Sequence, residues 1–343
     1  MRKAFIKYFI MFLIIIFTFI TISCTKENIT STDSKAQIDY IINKYHKEGS
    51  FYGDILVYKN NKLLYKGNFN KGNEKYPIYS VSKQFTSMLI LQLVEENKLR
   101  LDDKVIDIIP EVLPNDFKNK GKDITIYNLL THTSGLSPIS RKLNFESKVY
   151  SKKEIINSFI TKDLLFKPGT SFKYVNSNYY LLGIIIEKVT NKTYSECLKI
   201  KICNPLGLVN TGYYTSIKDN NKEFEKNTLN LMINYYSAGG IYSTVEDLYI
   251  WEQSLYTNKL LSKEYRDILF KPFLRFYGCG WYIHKNFEDK KIIWHGGSKT
   301  SNISNSYIAR IPSENTTVIL LTNELGIPKK LLKQIGHVIG IYK

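Results

Sequence analysis

Strand signals stand at both ends of this chain. Near the start, "YGDILVYKNNKLLYKGNF" (residues 52–69) alternates around Asn60-Asn61, which predicts a hairpin closed by a two-residue turn. Near the end, "YGCGWYIH", "KKIIWHGG", "SNSYIARIP" and "TTVILLTN" follow one another. Between them lie apolar segments of helical spacing, punctuated by Pro and Gly. One antiparallel sheet that draws on both chain ends, with the helices as an insertion and on the flanks, accommodates all of this. The predicted class is α/β, an α+β sandwich forming one domain over 37–343. Its sheet comes from 37–75 and 236–343 and its helical part from 76–235.

Several helices can be placed. Ile38, Ile41, Ile42 and Tyr45 have helical spacing, "SNYYLLGIIIEKVTNKTYSECLKIKI" reads as two consecutive helices, and "PKKLLKQIGHVIGIY" as the last one. "AGGIYSTVEDLYIWEQSL" predicts a further helix whose Ser243 and Glu246 would form a capping box.

The N-terminus points to export. In "MRKAFIKYFIMFLIIIFTFITISC", Arg2, Lys3 and Lys7 precede an apolar run that ends at small Ser23 and Cys24. This is the layout of a secretory signal over 1–24, and Ser23-Cys24 resembles a lipoprotein processing site, with lipid carried by Cys24. Thr21 stands where Leu is more usual. The polar residues 25–36 then read as a tether, so the expected location is extracytoplasmic and membrane-anchored, with membrane lipid as a partner through the N-terminus. Three cysteines remain, Cys197, Cys203 and Cys279, which predicts buried thiols with at most one bridge. Neither Cys-x-x-Cys nor His-Glu-x-x-His occurs, so no metal or other cofactor is expected. The formal charge is +17, from 48 Lys and Arg against 31 Asp and Glu. The lysines are scattered singly, which suits a solvated surface and not a nucleic-acid site.

The chemistry concentrates in "IYSVSKQFTSMLILQLVEENKLRLDDKV" (residues 78–105). Ser80 and Lys83 stand three residues apart at the mouth of an apolar helix, a spacing that stacks them on one face. Either the pair is a solvated helix start, with Ser80 an N-cap, or it is a nucleophile with its base. A serine hydroxyl becomes nucleophilic when a neighbour takes its proton, and a lysine does so once burial or nearby positive charge makes it neutral. Gly-x-Ser-x-Gly, Gly-x-x-x-x-Gly-Lys and Gly-x-Gly-x-x-Gly are all missing, which removes the hydrolase-elbow and phosphate-cradle classes.

With "ITIYNLLTHTSGL", "FKPGTSFKYVNSNYYLLGIIIEKVT", "NPLGLVNTGY", "YGCGW" and "WHGG" downstream, the chain resembles the serine β-lactamase and penicillin-binding protein superfamily. The likeness is to its class C, D-alanyl-D-alanine carboxypeptidase and esterase branch, from about residue 53 onward. It implies Ser80 as nucleophile and Lys83 as base. Tyr174, in Tyr174-Val175-Asn176, would be a second base if a cationic lysine lowers its pKa, and Asn176 would bind Lys83 and the substrate amide. It also implies a substrate-binding strand at His295-Gly296-Gly297 and an oxyanion hole from the amides of Ser80 and Ser298. His132 is implied to be a structural turn residue; His46, His284 and His337 carry no site signal.

The sequence departs from the family at that strand. His295 replaces lysine and Gly296 a hydroxyl-bearing residue, and "SKTSNISN" lacks the usual Pro-Gly-aromatic. No match for the class A deacylation glutamate is found, which leaves water activation to Tyr174 and Lys83. The expected function is a serine hydrolase acting through an acyl-enzyme on a cell-wall D-amino-acid peptide or small ester. Penicillin turnover should be weak, with some gain in acid if His295 becomes charged. The alternative is a β-lactam or peptidoglycan sensor, or an interaction lipoprotein, that binds without turnover.

Overall fold

The computed structural model describes residues 33–70, 75–214, 225–274, 276–299, 304–322 and 326–342. The signal segment, Cys24 and most of the expected tether lie outside them. The tether boundary needs one correction, because helix α1 (Ser34–Lys47) starts inside it, with Asp33 as N-cap accepting from the Lys35 amide at 3.0 Å. Ile38, Ile41, Ile42 and Tyr45 are its buried stripe.

Strands β1 (Gly53–Lys59) and β2 (Lys62–Asn68) form the expected hairpin. Asn60 and Asn61 both take positive φ, 52° and 61°, as a turn matched to the strand twist requires. After the short β3 (Tyr76–Pro77) comes helix α2 (Ser82–Glu95), whose residues from Ser82 to Val94 are all buried. Such a helix belongs to the middle of a molecule. Helix α3 (Asn176–Thr190) follows, then the two-residue β4 (Gly212–Tyr213), β5 (Ile241–Ser243) and helix α4 (Val245–Ser254). The chain ends with β6 (Tyr282–Lys285), β7 (Lys291–Gly297), β8 (Ser306–Ile311), β9 (Thr316–Thr322) and helix α5 (Lys329–Ile339).

The main sheet is antiparallel, in the order β2-β1-β9-β8-β7-β6. The two ends of the chain meet where β1 pairs with β9, from Gly53 opposite Thr322 to Tyr58 opposite Thr317. Side chains alternate across this pair and both faces are covered. Ile55, Val57, Val318 and Leu320 pack with Ile38, Ile42, Leu331 and Ile335 on the α1 and α5 side. Leu56, Ile319 and Leu321 face the other way, into the core that holds Phe85, Leu89 and Trp251. The insertion over roughly residues 76–240 closes that second face.

Three details differ from the sequence reading. Residues 241–243 join β3 and β4 in a separate three-stranded sheet, so the helical part contains strands of its own. "YGCGWYIH" becomes a strand only at Tyr282, because Gly278 N–H bonds Trp281 O and Cys279 N–H bonds Leu269 O in a preceding loop. The cap of α4 is one residue later than expected: Thr244 accepts from the Asp247 amide at 3.2 Å, while Ser243 ends β5 and Glu246 pairs with Lys66. Cys197, Cys203 and Cys279 are buried free thiols with no bridge among them.

One ion pair ties the sheet to the helical side. Arg310 on β8 meets Glu252 on α4 at 2.9 Å, and both side chains are buried. The Arg310 Nε has no aligned hydrogen bond, so this contact is charge against charge. The Arg310 guanidinium also lies 4.1 Å from the Tyr256 ring centre. Removing one partner leaves the other charge buried alone, so Arg310→Met should cost about 3–5 kcal/mol in chemical denaturation. The double change Arg310→Met with Glu252→Leu should recover most of the loss, and an additive double mutant would show that the charges are not coupled.

Candidate active site

A short 3-10 turn over Tyr79–Val81 precedes α2, so Ser80 lies just outside the α-helix and Lys83 in its first turn. Tyr79 takes φ 42°, an uncommon conformation for a bulky side chain. It is held there by the Val81 N–H bond to Ile78 O and the Ile78 N–H bond to Ile241 O, both 3.0 Å. Ser80 remains partly exposed and Lys83 is wholly buried. The Lys83 Nζ lies 2.9 Å from Ser80 Oγ, 2.9 Å from Asn176 Oδ1 and 2.8 Å from the Ala238 carbonyl oxygen.

None of these partners is a carboxylate, and burial pushes the Lys83 pKa well below the ordinary lysine value. A neutral amine has two N–H groups and one lone pair. The Asn176 and Ala238 oxygens can only accept, so they take both protons and the lone pair faces the Ser80 hydroxyl. The Lys83 Nζ also lies 5.0 Å and 5.7 Å from the ring centres of Tyr174 and Tyr179.

Tyr174 and Asn176 flank the start of α3. The Tyr174 side chain is partly exposed, yet its hydroxyl oxygen is enclosed without a hydrogen bond of ordinary geometry. Burial raises its pKa, an effect the adjacent Ser80 hydroxyl only partly opposes. This corrects the expectation of a lowered phenol pKa: a neutral Lys83 supplies no full charge to lower it, so Tyr174 stays protonated.

Strand β7 carries the third element. Gly297 approaches so closely that a Cβ there would lie 2.2 Å from Ile78 O and 3.0 Å from the Ser80 amide nitrogen. Glycine is therefore required by contact, and Ser298 is the next residue after the strand end. His295 is turned inward and only 2% exposed. Its Nδ1 lies 2.7 Å from Gly296 O, which can only accept, so Nδ1 carries the proton. Nε2 then accepts from the Tyr277 hydroxyl at 3.2 Å. Both ring nitrogens are thus spoken for, and burial lowers the His295 pKa to about 3. The expected gain in acid has no basis here, because His295 stays neutral across the ordinary pH range.

The sequence reading missed Ala238 O and Tyr277. A backbone acceptor has no residue type, and Tyr277 opens the quoted motif "YGCGW" but carries no mark there of a contact with His295. His132 is fully buried with φ 57°, a turn conformation as the resemblance implied.

With this geometry in view, residues 38–336 match the model of the family described as Beta-lactamase. The chain belongs to that family. Protein flp of Staphylococcus aureus (strain MRSA252) is 28% identical over 331 residues, covering 85% of this chain and 64% of its own length. The chain thus spans less than two thirds of that relative. Among solved structures, the D-stereospecific amidohydrolase from Streptomyces sp. superposes with a TM-score of 0.72 at 23% identity, covering 87% of this chain and 97% of its own. The octameric penicillin-binding protein homologue from Pyrococcus abyssi gives 0.71 at 25% identity, covering 90% and 77%. The fold is that of β-lactamase and penicillin-binding proteins, a family of serine hydrolases that includes amidases.

The buried histidines set a pH dependence of stability. His295 has a folded pKa of about 3 against an ordinary value of 6.5, and burial lowers that of His132 too. Between those two values the unfolded chain binds protons that the folded chain does not, so stability falls as pH drops from 6.5 toward 3. His295 alone should account for about 4–5 kcal/mol over that window. His295→Gln should flatten the curve of unfolding free energy against pH, and an unchanged slope would contradict the assignment.

Proposed function

We propose that the protein is an exported, membrane-tethered serine hydrolase that works through an acyl-enzyme on Ser80. The observation that carries this reading is the buried Lys83, whose Nζ lies 2.9 Å from Ser80 Oγ with no carboxylate among its bonded partners. In the first half-reaction Ser80 Oγ attacks the substrate carbonyl and gives its proton to Lys83 Nζ. The oxyanion would be received by the amides of Ser80 and Ser298, a reading supported by the close approach of Gly297 to the Ser80 amide. The carbon–nitrogen or carbon–oxygen bond then breaks, and the leaving group takes a proton passed from Lys83 through the Tyr174 hydroxyl. Tyr174 acts as a proton donor and relay, with Asn176 fixing Lys83. Water attacks the acyl-Ser80 in the second half-reaction, with Lys83 as base again, and hydrolysis restores the serine.

The substrate class follows from the wall at β7. A carboxylate beside the scissile bond wants a cation and a hydroxyl, and this strand offers a neutral His295 with no spare donor and Gly296. We infer a substrate without a carboxylate at that point, such as a D-amino-acid amide, an internal peptide bond of the cell wall or a small ester. The amidohydrolase likeness supports the amide reading.

Ser80→Ala should abolish turnover of chromogenic esters and D-amino-acid amides, by several orders of magnitude, together with fluorophosphonate labelling, while the circular dichroism spectrum stays unchanged. Wild-type turnover in Ser80→Ala would overturn the proposal, and stable retention of the acyl group by the wild type would make the protein a sensor. Penicillin acylation should be about 30- to 1,000-fold poorer than in an enzyme with the lysine and hydroxyl in place. His295→Lys with Gly296→Thr should raise it at neutral pH, whereas efficient penicillin hydrolysis by the unmodified protein would contradict the inferred substrate class.

Export and tethering rest on the basic start, the apolar run and Ser23-Cys24. Metabolic labelling with a lipid analogue should mark the wild type and not Cys24→Ala; equal labelling of both would exclude lipid at that cysteine.

A further inference from the structure

Behind Tyr174 runs the segment "LLTHTSGL" (residues 129–136), and His132 within it touches the residues on both sides of the tyrosine. Its carbonyl oxygen accepts from the Lys173 amide at 3.0 Å, and its Nδ1 accepts from the Val175 amide at 3.3 Å. The same Nδ1 lies 3.0 Å from Asn178 Nδ2, an amide group that donates to it. Asn178 Oδ1 in turn accepts from the Ser134 hydroxyl at 2.5 Å. Nδ1 therefore carries the lone pair and Nε2 the proton, and that Nε2 is buried without a hydrogen-bond partner. The rings around it are aromatic: Tyr174 with centres 4.3 Å apart, Tyr277 at 4.9 Å and Tyr179 at 5.1 Å.

A buried histidine that leaves one nitrogen unbonded and sits at φ 57° is an expensive way to close a turn. Stapling the loop alone needs only the two neighbouring bonds, Gly169 N–H to Thr133 O and Leu165 N–H to Gly135 O, at 2.8 and 2.7 Å. What the His132 side chain adds is a bond to the Val175 amide directly after Tyr174 and a ring against the phenol. The Tyr174 hydroxyl has no hydrogen bond of ordinary geometry to aim it, so its direction toward Ser80 depends on how its ring and backbone are held.

We propose that His132 is a positioning residue for Tyr174, acting through its Nδ1 bond to the Val175 amide and through ring contact to hold the phenol at Ser80. The inference rests on the relay role given to Tyr174 above. A misplacement of about 1 Å at a reacting group costs on the order of 100-fold in rate, so loss of His132 should be felt in the acylation step and little in KM.

The test measures single-turnover acylation by a chromogenic ester for His132→Ala and His132→Asn, each in the wild-type and Tyr174→Phe backgrounds, with thermal unfolding alongside. Asparagine keeps an acceptor near the Nδ1 position and loses the ring, and it decides the test if the alanine variant does not fold. The expected result is a 10- to 100-fold slower acylation, on the scale of that misplacement, milder for asparagine, which vanishes when Tyr174 is already phenylalanine. Equal loss in both backgrounds, or a wild-type rate in folded His132→Asn, would overturn the proposal and leave His132 a structural residue. A near-wild-type rate for Tyr174→Phe alone would remove the relay and this inference together. The Ser80 nucleophile is judged separately by Ser80→Ala.

Discussion

An amine buried from solvent, with no carboxylate bonded to it among the described residues, is driven toward its neutral form. Lys83 stands in a helix buried on every side, bonded to a hydroxyl, an amide oxygen and a carbonyl oxygen. Charging it there would incur the desolvation of a cation with nothing to offset it, so it gives up its proton instead. The consequence runs outward from that atom. A neutral Lys83 can accept from Ser80, which the ammonium cannot. It cannot lower the phenol of Tyr174, which is why that group stays protonated. The base is thus a product of where the core is, more than of any residue placed beside it.

The tyrosines around the site follow from the same constraint. Tyr174, Tyr179, Tyr277 and Tyr282 are all pushed upward in pKa by burial, with no counter-charge to stabilise a phenolate. They supply apolar faces with a donor at the tip. Tyr277 uses its donor on His295, and Tyr179 donates to Leu130 O at 2.8 Å. The Tyr174 hydroxyl, beside the nucleophile, is buried without a hydrogen bond of ordinary geometry. In such surroundings proton transfer between Lys83, Ser80 and Tyr174 moves no net charge far, which a low dielectric favours.

Much of this was legible in the sequence because it is local. Ser80 and Lys83 lie one helical turn apart, so their pairing needs no knowledge of the rest of the chain. Tyr174-Val175-Asn176 and His295-Gly296-Gly297 are short motifs whose resemblance fixed their order, and the strand-like apolar runs of β1 and β9 announced a sheet built from both chain ends. The parts that stayed hidden depend on distant packing. The Ala238 carbonyl reaches Lys83 across 155 residues, and the inward turn of His295 depends on Tyr277 and on Gly296 O. Small boundary errors had local causes of a different kind. Thr244 competes with Ser243 for the cap of α4, and Asp33 caps a helix inside what composition alone marks as tether.

Strain accompanies each piece of the site. Tyr79 precedes the nucleophile at φ 42°, His132 lies behind Tyr174 at 57°, and Tyr236 stands two residues before Ala238 at 50°. Non-glycine residues in such conformations cost on the order of 1–3 kcal/mol each and persist only where the surroundings over-determine them. Here those surroundings are separate: the Ile78–Ile241 bond for Tyr79, the Lys173 and Val175 amides for His132, and for the Tyr236 turn the Ser237 hydroxyl bond to Tyr179 O with the Gly240 amide bond to Tyr236 O. Ser80, Tyr174 and Ala238 O come from three segments with no covalent link nearby, so their common geometry exists only while all three clamps hold. A change that loosens the core between α2 and α3 therefore relaxes the strained backbone first, and the catalytic arrangement is lost at a smaller free-energy cost than the fold.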